Sequence, residues 1–95
     1  MTQLTTEELN SILCFGVFIK HKENTDTCYS IKYIDNKNGN SLNIECVCFL
    51  IGVDKTPKVP LGKHKFEIPA EKLENWEIHL LMNEEFVNTG VTLCI

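Results

Sequence analysis

Arginine is missing altogether: all nine basic residues of this 95-residue chain are lysine. The guanidinium fork is the usual bidentate reader of phosphates and guanine edges, so direct nucleic-acid recognition is a poor expectation. No apolar run approaches the ~18 residues of a membrane-spanning helix. The longest, Val47–Ile51, has the length of a buried strand. Residues Met1–Glu8 have neither the basic start nor the apolar stretch of a secretion signal. Gly16, Gly39, Gly52, Gly62 and Gly90 are all isolated, so no glycine loop exists to cradle a phosphate. There is no Cys-x-x-Cys, and neither the cysteines nor His21, His64 and His79 fall in a hydrolase or redox signature. Neither an enzyme nor a cofactor is expected.

What remains is ordinary globular composition, 43% hydrophobic and 23% charged. One domain over residues 1–95 is expected, with a single thin core. The five cysteines are an odd number without a secretion signal, which predicts reduced thiols and a cytoplasmic setting. They read as small buried apolar residues. Cys46 and Cys48 share a strand face, and Cys14 and Cys28 lie in the segments before it, but Cys-x-Cys lacks the turn of a structural zinc site, so no metal is expected. Frequent lysine, isoleucine and asparagine (nine residues) without arginine suits an A+T-rich coding sequence, such as that of a virus or bacteriophage.

Thr5 followed by Glu8 predicts a capping box, and Leu9, Ile12 and Leu13 give the following helix an apolar stripe. Alternation then predicts strands over Cys14–Lys22, Cys28–Asp35, Ser41–Val53 and Gly62–Ile68. Asn38-Gly39 predicts a tight hairpin between the second and third. Residues 54–61 hold Pro57 and Pro60 and read as an irregular connection. Residues 69–73 read as a turn or one helical turn, residues 74–83 as a strand and residues 84–95 as extended, with a break near Asn88-Thr89-Gly90. The expected fold class is α+β or mainly β: five to six antiparallel strands, as a small sandwich or partly open barrel, with one short N-terminal helix.

Two functional expectations follow. Apolar side chains fall on both faces of the strands, Leu81 against Leu80 and Met82, Phe49 and Ile51 against Cys48 and Leu50. The helix looks too short to cover the second set. Leu81, Phe49 and Ile51 are therefore the expected docking residues of a small non-enzymatic accessory module that binds another protein, with a homodimer as one form of it. The alternative starts from charge. Residues 1–66 carry eight lysines and seven acids, whereas residues 67–95 carry six glutamates against Lys72. Glu71, Glu74, Glu77, Glu84 and Glu85 are then the residues of an acidic inhibitor that blocks a partner's basic, nucleic-acid-binding surface. Lys20, Lys22, Lys32 and Lys37 with Tyr29 and Tyr33 make the only candidate basic patch, a weak one because the basic half nets +1.

Overall fold

The computed structural model describes residues 5–36 and 39–94. It has one helix and six antiparallel strands in a single open sheet. Helix α1 (Thr6–Cys14) is capped as expected: the Thr5 hydroxyl accepts from the Glu8 N–H at 3.1 Å, and the Glu8 carboxylate accepts from the Thr5 N–H at 3.3 Å. Strands β1 (Phe15–His21), β2 (Thr27–Asp35), β3 (Ser41–Ile51), β4 (Pro57–Pro69), β5 (Trp76–Met82) and β6 (Glu85–Thr92) follow. A 3₁₀ helix, Ala70–Asn75, joins β4 to β5 and is called the strap below. The strand order is β4-β3-β2-β1-β5-β6, which leaves β4 and β6 as the edges.

Several boundaries differ from expectation for local reasons. Cys14 ends the helix instead of opening the strand. The chain reverses so tightly there that a side chain at Gly16 would lie 2.9 Å from the Ile12 carbonyl oxygen. Residues 54–61 are not wholly irregular, because β4 begins at Pro57. Proline is tolerated on an edge strand, where a missing N–H need not leave a neighbour unpaired. Register shifts opposite Phe49 and Leu50 absorb the misfit. The expected break near Asn88 is a bulge within β6. There the Thr89 hydroxyl donates to the Ile78 carbonyl at 2.8 Å, and Gly90 takes a positive φ of 79°. The β2–β3 hairpin forms, but Asn38, the first residue of its expected Asn-Gly turn, lies outside the described residues. In the β5–β6 turn Asn83 and Glu84 both have positive φ, as a two-residue type I′ connection requires.

The two faces of the sheet are covered differently. Helix α1 lies on one, where Ile12, Leu9 and Leu13 pack with Phe18, Cys28, Val47, Phe49 and Leu81. On the opposite face Ile19, Leu42, Ile44, Cys46 and Ile68 pack with Leu73 of the strap and Leu93. That face is concave. Phe66 on β4 and Trp76 on β5 are four strand spacings apart, about 19 Å in a flat sheet. Their rings nevertheless stack with centroids 5.6 Å apart. Coiling of the twisted sheet brings the two together without closing a barrel. A second sheet is not needed to bury the core, so the sandwich form of the expectation gives way to one coiled sheet.

The path of the strap decides what stays uncovered. It leaves β4 at Pro69, which pairs with Ser41, at the end of the sheet where Phe15 and Met82 also meet. It enters β5 at Trp76, which pairs with His21, at the other end, near the pair Thr27 and Leu50. It therefore crosses the concave face on one diagonal and leaves the two corners of the other diagonal open.

Candidate functional site

The apolar residues expected to dock a partner are covered within the chain. Leu81 is 2% exposed and Phe49 is fully buried, both beneath α1, while Ile51 is half-buried against the same cluster. Two and a half turns of helix, with Phe86 beside them, cover more than the sequence pattern implied. The free apolar surface lies on the other face of the same strands.

At the β1–β5–β6 corner, Phe15 pairs with Met82, Val17 with Leu80, and Leu80 with Val87. Directly paired residues share a face, so these five form one continuous patch. Phe15 is 63% exposed, Val17 42%, Met82 41% and Val87 43%; Leu80 is half-buried. Glu85 pairs with Met82 at the margin and is exposed, as is Glu84 at the hairpin tip. At the opposite corner Leu50 on β3 and Val59 on β4 are paired and exposed. Lys58, next to Val59 in the chain, is ion-paired with Asp54 at 2.8 Å, and Lys55 lies on the helix side with Ile51, His79 and Phe86. Alternation marked Leu80 and Met82 as a face of their own. It could not show that this face, not that of Leu81, is the open one, because the diagonal path of the strap is a tertiary fact.

The acidic set is dispersed. Glu71 and Glu74 lie on the strap. Glu84 and Glu85 lie at the far end of β5, roughly 20 Å of extended chain away. Glu77 faces the helix side, between Lys20 at 3.8 Å and His79 Nε2 at 3.2 Å. Its carboxyl is held below the ordinary carboxylate range, chiefly by the bond with His79 and further by Lys20, against an opposing effect of burial. Its stabilising effect is therefore present above the ordinary carboxylate range and is lost as pH falls through the lowered value.

The weak candidate basic patch does not assemble either. Lys20 is engaged by Glu77 and Lys32 by Glu8 at 3.8 Å, whereas Tyr29 packs on the concave face with Phe66 and Trp76. Lys37 lies outside the described residues. A cleft of about 550 Å³ forms an open trough between α1 and β4. Two of its three lysines are paired with its two glutamates, Lys32 with Glu8 and Lys65 with Glu45 at 3.7 Å.

The thiols point to packing. Cys28 lies on the helix face, Cys46 on the concave one, and no group of three potential ligands gathers among the described residues. Burial pushes the Cys28 and Cys46 thiols up to about 12, and that of Cys48 upward. Since the thiolate is the reactive form, these three should resist alkylation near neutral pH. Cys14 and Cys94 are exposed. Native labelling with iodoacetamide, read by intact mass, is expected to modify Cys14 and Cys94 only, and labelling after unfolding all five. Rapid native labelling of Cys28 or Cys46 would contradict this packing.

No protein-family model, curated protein or solved structure matches this chain.

Proposed function

We propose that the chain is a small, non-enzymatic protein-binding module whose docking surface is the apolar corner of Phe15, Val17, Leu80, Met82 and Val87. One observation carries the reading: these residues are cross-strand partners on one face, and that face is open to water. Scattered exposed apolar residues are ordinary, but a contiguous set with a polar margin marks an interaction surface. The surface rests on paired strands, so it changes little in shape on binding, and little ordering entropy opposes association.

The acidic-inhibitor reading has less support. Phosphate imitation needs several carboxylates on one surface, and the five glutamates occupy three separate places. Among the described residues an enzymatic reading finds no paired nucleophile and base: burial raises the Cys28 and Cys46 thiols, and His79 is engaged by Glu77.

Substitution separates the two binding readings. Phe15→Thr with Val87→Thr removes apolar surface at two exposed strand positions while keeping a residue that strands accept. Partner retention on the immobilised chain should fall at least tenfold in this variant and persist through a high-salt wash in the wild type. Retention unchanged by the substitutions but abolished by salt would overturn the apolar reading in favour of the glutamates.

A further inference from the structure

We infer that the apolar corner of Phe15, Val17, Leu80, Met82 and Val87 takes a basic amphipathic helix of another protein, whose cationic side chains meet Glu84 and Glu85. The inference deepens the protein-binding reading and rests on it.

The charges around the corner are of one sign. Among residues 15–19 and 78–92, which form it, only His79, Glu84 and Glu85 have titratable side chains. His79 pairs with Phe18 on the helix side, where it is buried and bonded to Glu77. Glu85 pairs with Met82 and so stands on the face of the patch, and Glu84 is exposed at the hairpin tip. Among the described residues no cation is ion-paired with either glutamate. The one lysine of neighbouring β2, Lys32, is engaged by Glu8 of α1, and Lys72 lies between Glu71 and Glu74 on the strap. Helix α1 ends at Cys14, the residue before Phe15, with no basic residue in its last turn. The negative end of its dipole therefore lies at the same end of the sheet. A second copy docked corner to corner would bring the same carboxylates together, and an anionic surface would be repelled. A cationic partner is the one that this margin attracts.

The shape favours a helix. The apolar side chains form two rows across β1, β5 and β6, Phe15 with Met82 and Val17 with Leu80 and Val87. Along a strand such rows lie about 7 Å apart, and along a row the side chains repeat at about 4.8 Å. Residues at i, i+3 and i+4 of a helix are about 5–6 Å apart, so one apolar stripe laid along the rows meets them in step. The row of Phe15 and Met82 ends at Glu85, where the flank of such a helix would carry its cations. An extended segment fits less well. The bulge at Thr89 and Gly90 limits the free β6 edge beside the corner to residues 85–88, short for an added strand.

The probe is a fluorescent amphipathic peptide of leucine and lysine, about 15 residues long, with its leucine–glutamate counterpart as control. Anisotropy should show the full chain binding the first at least about tenfold more tightly than the second at low salt. Glu84→Gln/Glu85→Gln should weaken that binding about three- to tenfold and flatten its salt dependence. Glu71→Gln/Glu74→Gln, which removes the same charge elsewhere, should change it less than about twofold. Phe15→Thr/Val87→Thr should lower it at least about tenfold. Far-UV circular dichroism and melting like the wild type's establish that the variants are folded; Val87→Thr alone replaces the apolar pair if that pair fails. No binding of the leucine–lysine peptide, equal binding of the two peptides, or equal losses from the two glutamate pairs overturns the inference. So does self-association in sedimentation velocity that Phe15→Thr/Val87→Thr abolishes, which would assign the corner to a second copy. If both peptides bind equally and the apolar variant loses both, the protein-binding reading stands and only the inference falls. Peptide binding untouched by the apolar variant counts against both.

Discussion

Leu81→Glu should leave little folded protein. Leu81 is 2% exposed and packs with Ile12, Phe18 and Phe49 beneath α1. The exchange removes roughly 2–3 kcal/mol of apolar burial. It also places a carboxyl group where no partner is available, either charged at great cost or neutral and poorly bonded. A loss above about 4 kcal/mol is expected, comparable with the whole stability of many domains of this size. Urea unfolding followed by circular dichroism should show the native baseline shortened or absent. Its neighbour Met82 points to the opposite, open side, and Met82→Glu should shift the midpoint little. A midpoint for Leu81→Glu near that of the wild type would show that α1 does not cover this face.

Phe18→Ala should cost about 3–5 kcal/mol, the usual range for deleting a buried aromatic ring. Phe18 is fully buried at the centre of the helix-side cluster. Its ring meets Phe49 edge-on at 5.7 Å between centroids and Phe86 at 5.3 Å. Each such contact adds about 0.5–1.5 kcal/mol beyond area burial. The cavity left would lie between two strands and a helix, which close over it only in part. Phe18→Leu, which refills most of the volume, should recover more than half of the loss. Urea midpoints with an unchanged dependence on denaturant would measure both. An alanine variant within about 1 kcal/mol of wild type would contradict the packing described.

Local chemistry was well written in the sequence. The capping box at Thr5 and Glu8, the alternation through β1, β2 and β3 and the strand at residues 76–82 needed only spacing and residue type. Pro57 and Pro60 misdirected the reading of β4, because proline excludes a residue from the middle of a sheet but not from its edge, and edge position is set by strand order. The docking surface was half legible for the same kind of reason. Alternation showed that β1, β3 and β5 are apolar on both faces. Which face the chain itself covers depends on where α1 and the strap settle, and both are placed by packing with residues distant in sequence, Leu73 in one cluster with Leu42 and Ile44, Ile12 in the other with Phe49. The acidic set looked coherent because its members follow one another along the chain. Extended β5 carries Glu71 and Glu74 away from Glu84 and Glu85.

The proposed binding corner can be tested at its centre with a photo-crosslinking side chain at position 82, where Met82 is exposed within the patch. The same group at position 63, where exposed Lys63 pairs with buried Val47 and so faces the helix side, is the control. Irradiation in cells that make the protein should give discrete protein adducts from position 82 and few from position 63. Adducts from position 63 equal to or exceeding those from position 82 would contradict the proposed surface.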